Sequence, residues 1–131
     1  MPHRFHLRVY WEDTDAAGIV YHANYLKFAE RARTEALIAR GLSQTGIRAR
    51  HGLVFAVREA HLRFRASARL EDQLVVTTEA LRIAGASIAL RQAVLRGDEP
   101  LAECAVTLAC LDAAGGPRRL PAALREALAV L

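Results

Sequence analysis

The chain has 131 residues, of which 53% are hydrophobic and 24% are charged, and its formal net charge is +4. This length predicts one domain over residues 1–131, and the composition is that of a globular protein and excludes a disordered chain. No run approaches the ~20 apolar residues of a membrane span, and the N-terminus lacks the apolar segment of a signal peptide. We therefore expect a cytoplasmic protein.

The first half of the chain predicts a strand, an acidic loop and a long helix. Residues 5–11 alternate in polarity and predict the strand, and the loop that follows contains Gly18. Residues 24–40 have a helical pattern, and Gly41 supplies a C-terminal cap. The apolar stripe of this helix consists of Tyr25, Phe28, Ala29, Ala32, Ala36 and Leu37. Because many of these residues are alanine, the helix can lie close against a sheet.

The second half predicts mainly strands, after a short turn or helix at 43–48. Turn residues such as Gly85 and Gly97 separate these strands. The four strands are expected at residues 53–65, 74–83, 87–96 and 102–111. Pro121 is placed to begin a short C-terminal helix. A curved antiparallel sheet of about five strands around one long helix is an α+β fold.

The most informative segment runs from Tyr10 to Arg33. Three acids (Glu12, Asp13 and Asp15) precede Gly18, and a His-Ala-Asn step then opens the helix. This order puts a carboxylate beside the positive end of a helix, where backbone N–H groups can stabilise developing negative charge. A carboxylate close to such donors is suited to acyl transfer.

The same segment resembles the hot-dog-fold acyl-CoA thioesterases, specifically the 4-hydroxybenzoyl-CoA thioesterase-like family and its YbgC (Tol–Pal-associated) branch. That family's pattern is Asp-x-Asp-x-x-Gly-x-Val, an aromatic residue or histidine, Asn-Tyr, and a helix with Glu-x-x-Arg. The matching positions are Asp13, Asp15, Gly18, Val20, Tyr21, His22, Asn24, Tyr25, Glu30 and Arg33. The resemblance implies a hot-dog fold and thioester hydrolysis. It also implies a homo-oligomer with active sites at subunit interfaces, and we expect a tetramer rather than a dimer.

The resemblance makes Asp15 and His22 the expected catalytic residues. Asp15 would act as nucleophile or as general base for water, whereas outside this motif such an aspartate is usually a helix or turn cap. The backbone N–H of His22 would polarise the thioester carbonyl, and its imidazole could orient water or protonate the leaving thiolate. A histidine bonded to a carbonyl group is the structural alternative for that side chain. Asp13 is expected to support the loop, and Glu30 is a backup carboxylate.

Further residues are expected to bind the substrate. Gly18 and Tyr21 would face the acyl group, although a plain loop glycine and a core tyrosine are alternatives. The arginines expected at the phosphates of coenzyme A are Arg58, Arg63, Arg65, Arg118 and Arg119. Arginine binds phosphate well, but 17 arginines against one lysine also fit the codon bias of a GC-rich genome. A solvated strand face is the alternative for each of them.

Other kinds of site are not expected. The remaining histidines have no metal-ligand spacing, so we expect no metal and no cofactor. Cys104 and Cys110 lie on one predicted strand, where a disulfide is implausible. The aromatic and basic residues do not alternate as in a nucleic-acid surface, so no nucleic-acid partner is expected.

The predicted substrate is a short-chain aliphatic or aromatic acyl-CoA, with an acyl-carrier protein as a second carrier, and the products are the free acid and thiol. The alternative function is a non-catalytic acyl-binding or scaffolding hot-dog module, which would need none of Asp15, Gly18 and His22.

Overall fold

The computed structural model describes residues 2–131, which form a five-stranded antiparallel sheet and three α-helices. The strands are β1 (His3–Arg8), β2 (Leu53–Phe64), β3 (Gln73–Ile83), β4 (Ser87–Arg96) and β5 (Glu99–Asp112). The helices are α1 (Asn24–Ile38), α2 (Gln44–His51) and α3 (Ala122–Ala129). A 3-10 turn, Trp11–Asp13, lies between β1 and α1. The predicted α+β architecture is confirmed.

The sheet has the strand order β1-β3-β4-β5-β2, so β1 and β2 are its edges. Helix α1 packs on β1, β3 and β4, and it buries the whole predicted stripe together with Asn24. Ala32 and Ala36 are fully buried, because a methyl side chain lets the helix backbone approach the strands closely. The long helix therefore lies against one side of the sheet, and its N-terminus is held beside the loop that follows β1.

A buried polar layer divides the core below α1. Gln92 is 0% exposed, and its Nε2 donates to the carbonyl of Ala29 and to Thr78 Oγ1, both at 2.9 Å. Its Oε1 accepts a hydrogen bond from Arg33 Nη1 at 3.0 Å, and burial lowers the pKa of Arg33. One apolar cluster, with Phe28 and Leu74, lies on the side of the β1–α1 loop. The other cluster packs the leucines of α3 against β4 and β5.

Some boundaries differ from the prediction. Strand β1 ends at Arg8, because Val9 pairs instead with the connection between β2 and β3: its N–H donates to the carbonyl of Asp72, and its carbonyl accepts from Glu71 N–H, both at 2.9 Å. Strand β5 begins three residues earlier than expected, at Glu99. Gly97 has φ +61°, so only Gly97 and Asp98 form the turn between β4 and β5.

Both cysteines, Cys104 and Cys110, are free and buried, and burial raises the pKa of each thiol.

Candidate active site

The acidic loop folds into a tight turn that displays Asp15. Thr14 and Val20 form an antiparallel bridge, and Asp15 N–H donates to the carbonyl of Ile19 at 2.9 Å. Gly18 closes the turn by donating its N–H to the carbonyl of Asp15 at 2.9 Å. The φ of Gly18 is +79°, a conformation that other residues adopt only with strain. The glycine is thus required by the backbone of the turn, since no neighbouring atom would meet an added Cβ.

The two aspartates of the motif have different environments. Asp13 is 3% exposed, its Oδ2 accepts from Tyr10 N–H at 2.8 Å, and its Oδ1 accepts from Asn24 Nδ2 at 3.0 Å. Asp15 is half-buried, and only its Oδ1 accepts a hydrogen bond, from Ala17 N–H at 2.9 Å. Among residues 2–131, no donor is bonded to Asp15 Oδ2. Asp13 therefore holds the loop, while Asp15 keeps one carboxylate oxygen available for chemistry.

The N-terminus of α1 provides hydrogen-bond donors close to this loop. Asn24 N–H donates to the carbonyl of Tyr21 at 2.8 Å, and the Asn24 side chain is bonded to Asp13 instead of capping the helix. Within the described chain, no acceptor is bonded to the backbone N–H of His22 or Ala23. Free N–H groups at a helix N-terminus attract negative charge. The His22 ring is exposed and lies 4.6 Å from the Tyr21 ring, centroid to centroid.

Asp15 and His22 line the same pocket, which has a volume of about 300 Å³. Its other lining residues are Ile19, Val20, Tyr25, Phe64, Arg65, Ala66 and Ser67. Tyr25 is 3% exposed, and its ring contacts the Phe64 ring edge-on at 5.4 Å. Its hydroxyl accepts a hydrogen bond from Ala68 N–H at 3.1 Å. The pocket thus has an apolar floor, with a carboxylate and a helix N-terminus on one side.

The predicted arginines do not converge on this pocket. Arg65 lines it and pairs with Glu103 at 3.2 Å. Arg63 and Arg58 line two other hollows on the sheet. Arg118 pairs with Asp112 at 3.0 Å, and Arg119 lies beside Gly85.

The register of the sheet explains this separation. Phe64 of β2 is opposite Ala102 of β5, and Leu53 of β2 is opposite Asp112 of β5. The pocket and the pair Arg118 and Arg119 therefore lie at opposite ends of the sheet, ~30 Å apart at the usual rise per residue. Gly18 and Tyr21 lie in the loop that carries Asp15 and His22, but neither lines the pocket.

The sequence did not predict Phe64, Ala66 and Ser67 as pocket residues, and for Tyr25 it favoured the core over the acyl pocket. Tyr25 has both positions, since it is buried and also lines the pocket. The sequence offered one indication of a pocket role for Phe64, an aromatic residue at the end of a predicted strand. Phe64 is 48% exposed.

Residues 2–131 contain no cluster of three His, Cys, Asp or Glu side chains with the geometry of a metal site. No helix in the same range combines the length and apolarity needed to cross a bilayer.

Comparison with known proteins places this geometry in a family. Residues 9–128 match the model of the thioesterase-like superfamily. The chain is 42% identical to the acyl-CoA thioesterase YbgC of Haemophilus influenzae over 108 residues, which are 82% of this chain and 79% of that protein. It is 41% identical to the acyl-CoA thioester hydrolase YbgC of Escherichia coli O157:H7 over 120 residues, 90% of this chain and 89% of that protein.

Solved structures of thioesterases have the same fold as this chain. A probable thioesterase from Bartonella henselae superposes with a TM-score of 0.88 at 37% identity, covering 92% of this chain and 100% of that one. The 1,4-dihydroxy-2-naphthoyl-CoA thioesterase Slr0204 from Synechocystis gives a TM-score of 0.89 at 21% identity, over 98% of this chain and 96% of that one, and shows the shared fold. The chain belongs to the thioesterase-like superfamily and has the hot-dog fold of its thioester-hydrolysing members.

Proposed function

We propose that this protein hydrolyses acyl-CoA thioesters, with Asp15 as its catalytic carboxylate and the backbone N–H of His22 as its principal oxyanion donor. One observation carries the proposal: Asp15, with one carboxylate oxygen unbonded, lines the same pocket as His22 at the N-terminus of α1. The likeness to acyl-CoA thioesterases over most of the chain supports the reaction type.

In the general-base route, the Asp15 carboxylate removes a proton from water as the water oxygen bonds to the thioester carbonyl carbon. The π electrons of the C=O bond move to its oxygen, whose negative charge the N–H groups of His22 and Ala23 stabilise. Collapse of this intermediate re-forms C=O and breaks the C–S bond. The thiolate then receives the proton held by Asp15, directly or through the His22 imidazole, which gives free acid and thiol.

In the nucleophilic route, Asp15 Oδ2 bonds to the carbonyl carbon itself, the thiolate leaves, and water hydrolyses the resulting anhydride. Both routes use the same carboxylate oxygen and the same N–H groups. Rapid quenching followed by mass spectrometry separates them, because only the nucleophilic route gives a protein whose mass is increased by the acyl group at Asp15.

The acyl group would lie on the apolar floor formed by Val20, Tyr25 and Phe64. This floor favours a short aliphatic or a single-ring aromatic acyl group. Gly18 and Tyr21 would contribute at the mouth, through the shape of the turn and the tyrosine ring beside His22. The carrier is coenzyme A, with acyl-carrier protein as a second carrier to be compared in the same assay.

A second copy of the chain would complete the site. Strand β2 is an edge of the sheet, and Val57 and Phe64 on it are 52% and 48% exposed. Such an edge favours pairing with another strand, and antiparallel pairing of two β2 strands would bring the first half of one beside the pocket of the other. Arg65 would then bind phosphate within its own subunit, and Arg58, Arg118 and Arg119 would act from a neighbour, while Arg63 lies at the pocket end of its own β2. We expect a tetramer of two such dimers.

The deciding experiment is a free-thiol release assay over a panel of acyl-CoA and acyl-carrier-protein thioesters. The proposal predicts turnover without added metal, and a rate that chelators leave unchanged. A folded sample that releases thiol from no member of the panel would contradict it. Light scattering on the same sample measures the oligomeric state.

A further inference from the structure

One wall of the pocket is formed by an irregular segment between β2 and β3, residues 65–68, of which Arg65, Ala66 and Ser67 line the pocket. No strand ladder fixes this segment, so its backbone groups depend on individual partners. The N–H groups of Arg65 and Ala66 donate to the carbonyl of Leu101 at 2.8 and 3.2 Å. The carbonyl of Ala68 accepts from Val20 N–H at 2.9 Å. These bonds anchor the two ends of the segment and leave Ser67 between them.

Arg96, at the end of β4, holds the middle of this segment, at Ser67. Its Nη1 donates to the carbonyl of Ser67 at 3.1 Å and to Asp72 Oδ2 at 2.7 Å, and its Nη2 donates to Glu99 Oε1 at 2.9 Å. Asp72 Oδ2 also accepts from Arg69 N–H at 2.8 Å. The guanidinium is thus fixed by two carboxylates, and the chain from Ser67 to Asp72 wraps around it. Arg96 itself does not line the pocket.

We propose that Arg96 is a positioning residue for thioester hydrolysis: it holds the Ala66–Ser67 wall at the correct distance from Asp15. This inference rests on the proposed function. Asp15, His22 and the Ala66–Ser67 wall line one pocket, so the position of the wall helps to set where the substrate's carbonyl lies. A displacement of about 1 Å in such a site can lower the rate ~10²-fold. The partly buried geometry gives Arg96 a fixed position, which a solvated surface pair would lack.

The chemistry of the guanidinium makes the inference specific. Arg96 contacts three acceptors in different directions, which the planar fork of arginine permits and a single ammonium group does not. Arg96→Lys should keep the charge and one of the contacts, whereas Arg96→Gln should lose the charge and most of the contacts. Activity should therefore decrease in the order wild type, Arg96→Lys, Arg96→Gln.

The chain offers a matched control in Arg125 of α3. Its guanidinium donates to the carbonyls of Ile83, Ala84 and Gly85 at 3.5, 3.1 and 3.5 Å. It thus holds a connection at the opposite end of the sheet from the pocket. Arg125→Gln removes a clamp of the same kind, so it reports the effect of a loosened loop on stability alone.

The experiment measures kcat, KM and melting temperature for wild type, Arg96→Lys, Arg96→Gln and Arg125→Gln. We expect kcat of Arg96→Gln to fall about tenfold, with partial rescue in Arg96→Lys, while Arg125→Gln keeps the wild-type kcat despite a similar loss in melting temperature. Equal kcat for folded Arg96→Gln and wild type would overturn the inference. A wild-type protein without thiol release would instead overturn the proposed function, and with it any positioning role.

If Arg96→Gln does not fold, amide hydrogen exchange on Arg96→Lys replaces it as the test. Faster exchange confined to the amides of residues 66–72, together with a lowered kcat, supports the positioning role. Unchanged exchange in that segment contradicts it.

Discussion

The two ends of the sheet differ in what their connections leave unpaired. At the pocket end, Asp13 and Arg96 tie irregular segments together, yet Asp15 Oδ2 and two backbone N–H groups have no partner within the described residues. At the opposite end, Asp112 and Arg125 tie comparable loops, and leucines of α3 fill the space beneath them. The carboxylate at that end, Asp112, has hydrogen-bond donors on both of its oxygens. The end that keeps a carboxylate oxygen available in a pocket is therefore the end suited to chemistry.

The contrast predicts that substitutions at the pocket end change activity and that substitutions at the opposite end change stability. Changes at Asp15 should affect the rate while leaving the fold intact. Changes among the leucines of α3 should affect the free energy of unfolding while leaving the chemical step intact.

The largest expected effect is that of Asp15→Asn. The amide keeps the size of the side chain but cannot attack a carbonyl or accept a proton from water, so kcat should fall ~10²–10⁴-fold. The melting temperature and the oligomeric state should change little, because only Ala17 N–H is bonded to the carboxylate. A cap role predicts the reverse, a lower melting temperature with activity retained. Asp112→Asn at the opposite end is the control and should keep the wild-type kcat.

The next largest effect is expected at the opposite end of the sheet, on the free energy of unfolding. Leu124 of α3 is 1% exposed, and Leu124→Ala should lower the free energy of unfolding by about 2–5 kcal/mol through lost burial and a cavity. Denaturant titration measures the loss, and kcat measured below the melting temperature should stay near wild type. A large fall in kcat of the folded variant would mean that the two ends are coupled.

Acid stability should depend on Asp72 at the pocket end. Burial alone would raise the pKa of Asp72, but the N–H of Arg69 and the Arg96 guanidinium outweigh it and hold the pKa below the ordinary value of an aspartate. A carboxyl whose pKa is lowered by folding contributes stability above the unfolded value and loses it as the pH falls through the folded value. Melting curves from about pH 6 to about pH 3 should therefore show a smaller acid-induced loss for Asp72→Asn than for wild type.

The smallest effect is expected for the arginines. Arg118→Ala with Arg119→Ala should raise KM with little change in kcat, the pattern of lost uniform binding, if a neighbouring subunit presents them to coenzyme A. Arg65→Ala removes the arginine that lines the pocket in the same subunit, and should raise KM even in a dissociated protein. Steady-state kinetics at low and physiological salt compare the two variants. An unchanged KM for the double variant at both salt levels would mean that Arg118 and Arg119 do not bind coenzyme A and belong only to the turn before α3.

Local patterns in the sequence predicted much of this molecule. The apolar stripe of α1, its end near Gly41 and the order of helices and strands along the chain follow from periodicity and turn residues, and all are confirmed. The thioesterase family is confirmed as well. The roles of Asp15 and His22 stay predictions, although the fold brings both into one pocket.

Other features depend on contacts between distant parts of the chain. Arg96 and Ser67 are 29 residues apart, and Tyr25 and Ala68 are 43 apart, so no local pattern could join them. The placement of Arg58 depends on a register shift between Val57 and Glu59, which changes the direction of the side chains along β2.

The most direct measurement is a titration of folded Asp15→Asn with an acyl-CoA that the wild type hydrolyses, recording binding and thiol release in one sample. The pocket is formed by other residues, so we predict binding with a Kd close to the wild-type KM, and thiol release at least ~10²-fold slower than wild type. Thiol release at the wild-type rate would contradict the assignment of Asp15 as the catalytic carboxylate.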